Sequence, residues 1–443
     1  MSLAKEIVGA AKDFRRPPNS VLLGKVKGSL WRQEWLTEGQ LNHHVHIVGA
    51  SGFGKTVLIS HIIRQRIEQG RGVLFIDLKS DMNTILKFSQ FAAEANRLED
   101  LRVFSLTDLK MSHRYNLLGN GTANQLRDRI MMALNWSEEF YKNQAASFLL
   151  KLLIGLCWLR DHGGYSLNLG VVLRAASEPR FLEDLACRLP ETAAREKRIF
   201  EDCVRFAKSS DQWGSLQGLR TQLESICLSD FGELIVDDGP GIDLFESVRK
   251  GHINYVFLDS RRYGETAKAI GRFILQDLKA VSARIDAEVP EAERIPFTVI
   301  IDEFADMASE DFIAFLDRAR SSKMSIVVAH QEICDLERIS REFAGRLMGN
   351  MSTLYAFLQK RPESAEIIAG MAGTRTVRES TEQYERRLMV DWPTGMKSVK
   401  TVEGFVIHPN LVKKLRVGTC VCVKKYPEAR GYLVDVAPTA PQS

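Results

Sequence analysis

His46-Ile-Val-Gly-Ala-Ser-Gly-Phe-Gly-Lys-Thr-Val-Leu-Ile59 is the stretch on which the fold turns. The apolar run Val45–Val48 reads as a buried strand, and Val57 to Arg66 carries apolar residues at helical spacing. Between them, Gly49, Gly54, Lys55 and Thr56 match the phosphate-binding pattern G-x-x-x-x-G-K-[ST]. Gly49, Gly52 and Gly54 let the backbone turn so that successive N–H groups converge on phosphate oxygens. The helix that follows offers its unpaired N-terminal N–H groups to the same anion. Gly49, Ala50, Ser51, Gly52, Phe53, Gly54, Lys55 and Thr56 are therefore the expected nucleotide-binding loop. Lys55 would bring a positive charge to the outer phosphates, and the Thr56 hydroxyl would coordinate Mg²⁺. Lys55 is expected to be solvent-accessible when no phosphate is held.

Working outward, two further strand ends carry polar groups. Phe297-Thr-Val-Ile-Ile-Asp-Glu303 is an apolar run closing on two acids. An acid after a strand often only caps the next helix. Downstream of a phosphate loop, Asp302 suits Mg²⁺ held through water and Glu303 suits the base that polarises an attacking water. Val327-Val-Ala-His-Gln331 is the next strand, and the Gln331 amide at its tip can hydrogen-bond a γ-phosphate or the attacking water. Arg318 and Arg320 end the helix between these strands. They suit a solvated helix C-terminus, where cations complement the dipole, or an arginine finger reaching a neighbouring subunit. Asp77, closing the strand Gly72–Asp77, fits a helix cap or a Mg²⁺-water ligand. His43, His44 and His46 lack a carboxylate or cysteine at ligand spacing, so no metal centre is expected there.

The 443 residues are 45% hydrophobic and 26% charged with a net charge of +4, an ordinary globular composition. That charge is too mild to argue nucleic acid binding by itself. Seven cysteines without a C-x-x-C pair read as reduced, mostly buried thiols in a cytosolic protein. The most apolar window, Phe148–Leu159, is too short to span a bilayer and contains Lys151, so it reads as a core helix. Residues 1–18 suggest a short helix ended by Pro17 and Pro18, without a signal peptide.

Strand and helix alternate on both sides of a long stretch in which only helical periodicity is found. The expected fold is α/β: a RecA-like nucleotide-binding domain with a central, mainly parallel twisted sheet, plus an inserted all-α domain. The expected boundaries are 1–118 for the N-terminal segment and first part of the nucleotide-binding domain, 119–235 for the all-α insertion and 236–443 for the second part. Val21–Gly24 and Ser29–Trp35 read as a hairpin covering the nucleotide site, and residues 374–404 as a polar, mobile hairpin or insertion. Arg261 and Arg262, after the strand ending at Asp259, are candidate nucleic acid contacts or simply a solvated turn.

In combination these motifs resemble the type IV secretion coupling proteins, the TraD/TraG-type motors of conjugation. That family sits among the hexameric RecA-like DNA pumps that include FtsK and HerA. The resemblance is carried by Gly49–Thr56, Asp77-Leu-Lys-Ser-Asp81, Ile301-Asp-Glu-Phe304, Ala329-His-Gln331 and Leu411–Gly418. The all-α insertion after the third strand is similar to the coupling proteins rather than to FtsK. Most coupling proteins begin with transmembrane helices, and none is read in this chain. The resemblance implies that Lys55, Thr56, Asp302, Glu303 and Gln331 are the ATPase residues and that Arg320 acts in trans.

It further implies a ring motor, a homo-hexamer when active and a monomer in isolation. Its partners would be single- or double-stranded DNA, a relaxase or other secreted protein and type IV secretion channel components. The protein would be cytoplasmic and peripheral at the inner face of the cell membrane, where a separate membrane protein recruits it. The alternatives are a cytosolic FtsK/HerA-type DNA translocase and a nucleotide-gated docking adaptor that hydrolyses little.

Overall fold

The computed structural model describes residues 16–79, 82–236, 239–387 and 390–438. Most of the helix expected over residues 1–18, and Ser80 and Asp81 of the second motif, lie outside the described residues. In chain order the strands are β1 (Val21–Val26), β2 (Gln33–Leu36), β3 (Val45–Val48), β4 (Gly72–Asp77) and β5 (Leu101–Ser105). They continue with β6 (Ile253–Phe257), β7 (Phe297–Ile301), β8 (Met324–His330) and β9 (Thr353–Ala356). The last are β10 (Thr374–Arg387), β11 (Val390–Phe405), β12 (Thr419–Lys424) and β13 (Arg430–Val436). The fold is α/β, as the alternating pattern predicts. The chain divides into two compact units, residues 63–326 and residues 1–62 with 327–443.

In the unit of residues 63–326, β4 pairs in parallel with β6 and β7, and β6 pairs with β5. Every residue of β4, β6 and β7 is buried, which is why these strands read as continuous apolar runs rather than alternating ones. Between β5 and β6 each regular element among the described residues is helical. Helix Glu139–Gly163 buries Phe148, Leu149, Leu152, Leu153 and Leu156, and Gly164 ends it in the left-handed conformation. Lys151, which breaks the apolar window, lies at the surface 3.6 Å from Asp202. Buried Arg129 pairs with Asp277 at 2.8 Å, and the Tyr115 hydroxyl donates to the same carboxylate at 2.7 Å. That triad fastens helix Ala123–Ala133 to helix Ser260–Glu288. Arg261 and Arg262 are not in a loop: they lie in the first turn of helix Ser260–Glu288, and Arg262 is 3.4 Å from Asp230.

In the other unit, β3 is flanked in parallel by β8 and β9. From β9 outward the pairing is antiparallel through β12, β13, β1 and β2. The β1–β2 hairpin therefore does not cover the phosphate loop. It completes the sheet edge, because β1 finds its hydrogen-bond partner in β13. β10 and β11 form a long antiparallel ribbon, with Thr374 opposite Phe405. All seven cysteines are free, and five of them are buried. Among the described residues no helix is long and apolar enough to cross a membrane.

Candidate nucleotide site

The phosphate loop leaves the C-terminal end of β3 and enters helix Lys55–Glu68. Its shape is held by main-chain bonds from three directions. Gly49 N–H donates to His330 O at 3.3 Å, Ala50 N–H to Leu358 O at 2.9 Å, and Gly418 N–H to Phe53 O at 3.0 Å. The glycines follow from this crowding: a side chain at Gly49 would collide with Phe357, and Gly54 adopts φ 118° against the Phe357 ring. Ser51, Gly52 and Thr56 are exposed, so the outer rim of the loop faces solvent.

Lys55 is not solvent-accessible, contrary to the expectation from sequence. It is 5% exposed, and its ammonium donates to the Gly49 carbonyl and to Ala50 O at 3.4 Å. Bonding the loop carbonyls keeps a nearly buried charge satisfied.

Beneath the loop lies a buried histidine pair. His46 on β3 and His330 on β8 approach Nε2 to Nε2 at 2.6 Å, and His330 Nδ1 lies 2.9 Å from Glu332 O. One ring donates and the other accepts, so the bond requires at least one neutral imidazole. Burial, and then the proximity of His330, hold the pKa of His46 well below 6.5. Gln331 follows His330 immediately; it is exposed, and its carbonyl accepts from Gln359 Nε2 at 3.2 Å.

The acids form a second cluster in the unit of residues 63–326. Register between β4 and β7 sets Ile76 opposite Ile301, and Asp302 N–H donates to Ile76 O at 3.0 Å. Asp77, Lys79, Asp302 and Glu303 are thereby gathered at the same end of the two strands. The Lys79 ammonium is 3.6 Å from the Asp302 carboxylate and donates to Glu303. Glu303 takes a left-handed backbone (φ 52°), and its N–H donates to Asp302 Oδ1 at 3.0 Å. Asp77 is buried and braces the strand exit. Its carboxylate accepts from Lys79 N–H at 2.8 Å and from the Tyr255 hydroxyl at 3.0 Å.

Electrostatics follow from that packing. Burial pushes the Asp302 carboxyl up to about 6 despite the pull of Lys79, and the negative charges of Glu303 and Asp77 add to the rise. Burial opposes the charge on Lys79 as well, but Asp302, Glu303 and Asp77 outweigh it and raise its pKa. The sequence alone sets Lys79 inside a motif without giving it a role. Its signal is a cation two residues beyond a strand end, in a sheet whose neighbouring strand ends in two acids.

Arg320 follows helix Phe312–Ala319, half-buried, and its carbonyl accepts from Lys323 N–H at 3.1 Å. Arg318 in the same turn is exposed. Among the described residues no group of three side chains is arranged to hold a metal unaided. Asp302 is a buried carboxylate and Thr56 is exposed.

Comparison with known proteins bears on the same elements. Residues 296–416 match the family described as the TraM recognition site of TraD and TraG. The chain is 20% identical over 369 residues to the type 4 coupling protein DotL of Legionella pneumophila, covering 71% of this chain and 47% of DotL. It spans about half the length of the curated relatives it matches. The fold resembles the bacterial conjugative coupling protein TrwBdeltaN70 with a TM-score of 0.68 at 15% identity, over 98% of this chain and 92% of that one. TrwB in complex with ADP and Mg²⁺ gives a TM-score of 0.67 at 14% identity, over 98% and 93%. VirB4 of Thermoanaerobacter pseudethanolicus gives 0.59 at 13%, over 96% and 98%. Family match, sequence relative and fold together make this chain similar to the type IV coupling proteins.

Proposed function

We propose that the chain is an ATP-hydrolysing ring motor that drives DNA, or protein-linked DNA, toward a type IV secretion channel. The observation that carries hydrolysis is the acid pair after β7: buried Asp302 beside Glu303, with Lys79 bonded to the latter. In this reading the N–H groups of residues 49–56 hold the ATP phosphates, and Lys55 exchanges the Gly49 and Ala50 carbonyls for phosphate oxygens. Thr56, through its hydroxyl, and Asp302, through its carboxylate, are the residues that would hold Mg²⁺. When bound, that ion neutralises charge on the phosphate oxygens. Glu303 takes a proton from the attacking water as the bond from the γ-phosphorus to its bridging oxygen breaks, yielding ADP and phosphate. Gln331 donates to the γ-phosphate, and Arg320 of a neighbouring subunit stabilises its charge.

Catalysis of this kind is mostly positioning and preorganised charge. The active assembly would be a homo-hexamer, formed from monomers when ATP and DNA bridge the subunits. A relaxase or other secreted protein would be the cargo, and channel components the docking partners. A membrane protein of the same system would bind the motor at the inner face of the membrane. The deciding test is steady-state ATP hydrolysis with and without single-stranded and duplex DNA. The wild type is expected to turn over faster with DNA, and Glu303→Gln to bind ATP but hydrolyse it slowly. Unchanged turnover in Glu303→Gln would overturn the assignment of the base.

A further inference from the structure

The tip of the β1–β2 hairpin holds two adjacent, strongly exposed apolar side chains. Leu30 is 87% exposed and its neighbour Trp31 is 70% exposed. The tip is held in a defined shape. Ser29 N–H donates to Val26 O at 3.2 Å, and Val26 N–H to Arg32 O at 2.9 Å. The Ser29 hydroxyl oxygen accepts from Trp31 N–H at 3.4 Å and from Arg32 N–H at 3.1 Å. Gly28 supplies the left-handed residue of the turn at φ 84°. Lys27 is further tied to the sheet through its N–H to Leu433 O at 2.9 Å. A turn fixed this firmly presents Leu30 and Trp31 outward instead of folding them onto the body of the protein.

Basic residues surround the tip. Lys25 and Lys27 precede it and Arg32 follows it, its guanidinium 5.2 Å from the centre of the Tyr432 ring. Asp435 lies 3.9 Å from Lys27, with both side chains about half-exposed. Glu34 on β2 is buried and committed to Lys424, Tyr355 and Tyr432. The tip is thus apolar at its apex and cationic at its base.

We propose that this tip is a contact with an anionic lipid surface. Leu30 and Trp31 enter the headgroup region, while Lys25, Lys27 and Arg32 meet lipid phosphates. Indole favours the membrane–water interface, where its ring is apolar and its N–H remains wet. Each cation near an anionic leaflet adds attraction that falls off within a Debye length. A second copy of the chain fits less well. A stable protein interface needs about 800 Å² per partner, and two side chains on a convex turn offer roughly a few hundred. The contact is independent of ATP hydrolysis. It gives the protein its own hold on a bilayer, beside any membrane-protein receptor.

The test is flotation of the intact chain with vesicles of phosphatidylcholine alone and of phosphatidylcholine mixed with phosphatidylglycerol. Sedimentation equilibrium without vesicles is run in parallel. Wild-type protein is expected to bind the mixed vesicles at least roughly tenfold more tightly than the neutral ones. The double variant Leu30→Ser/Trp31→Ser should lose binding to both. Lys25→Gln/Lys27→Gln should lose only the preference for phosphatidylglycerol. These are exposed positions, and unchanged far-UV circular dichroism and thermal midpoint would show that the variants fold. No wild-type binding, or equal binding by Leu30→Ser/Trp31→Ser, would overturn the proposal. So would self-association that disappears in that variant while lipid binding stays absent, which would assign the tip to a second copy.

Discussion

The Lys79 ammonium bonds the Glu303 carboxylate and lies 3.6 Å from Asp302, joining the exit of β4 to the acid pair after β7. Lys79→Met removes the cation that the Asp302 and Glu303 carboxylates share. It is expected to cost about 1–3 kcal/mol of stability at neutral pH, because a buried charge without its partner keeps its desolvation penalty. Lys79→Arg should recover part of that loss. Urea unfolding of the three proteins without nucleotide is the measurement, and equal midpoints would show that the cation is dispensable.

Two buried groups oppose each other in their effect of pH on stability. Asp302 titrates near 6 in the folded chain against an ordinary value of 3.8, so its ionisation costs the folded state more. Its contribution therefore falls as pH rises from about 3.8 to about 6 and is level above that. His46 titrates well below 6.5, so stability is lost as pH drops below 6.5 and the unfolded chain takes the proton. Asp302→Asn is expected to stabilise the nucleotide-free protein above pH 6 by roughly 1–3 kcal/mol, while abolishing hydrolysis. His46→Gln should flatten the fall in stability below 6.5. Thermal midpoints at closely spaced pH values distinguish the two slopes.

Lys55→Ala should do more than remove the phosphate contact. The Gly49 and Ala50 carbonyls lose a donor, so about 1 kcal/mol of stability is expected to go with it. ATP hydrolysis should fall by the equivalent of roughly 2 kcal/mol or more. Calorimetric unfolding beside a turnover assay reads both effects. A wild-type melting temperature would mean that water replaces Lys55 without penalty.

Arg320→Ala is expected to bind ATP and fail to hydrolyse it. Mixed with Glu303→Gln protein it should regain some turnover, because each variant supplies at a mixed interface what the other lacks. Activity across a mixing series, with mixed rings confirmed by mass spectrometry, decides this. Silence at every ratio would leave Arg320 as the end of its helix and nothing more.

DNA affinity should fall with salt, with a log–log slope of about −0.7 for each phosphate contacted on a single strand. Fluorescence anisotropy with labelled oligonucleotides over a salt series measures it. A flat profile would take DNA out of the account.

Much of this architecture is legible in the sequence alone. The buried strands β3, β4 and β7 are short apolar runs that end at chemically distinctive residues, so pattern and motif reinforce each other. The His46–His330 bond is not legible, because it joins positions separated by 284 residues and depends on β3 lying beside β8. The role of Lys79 is hidden for the same reason: it depends on β4 and β7 being neighbours. The burial of Lys55 escapes the sequence because a local motif names the side chain but not the carbonyls that receive it. The β1–β2 hairpin is legible as a hairpin but not in its place, since its partner β13 is encoded at the other end of the chain.

The bond from Gly418 N–H to Phe53 O carries a consequence for how the protein is made. The phosphate loop is translated well before Gly418, one of the donors that shape it, and Phe357 and Leu358 also follow it in the chain. A nascent chain that stops short of β12 has the whole nucleotide motif in sequence and lacks its frame in space. ATP affinity would then appear only once β12 has been made, and products terminated before it would not compete for nucleotide with longer chains.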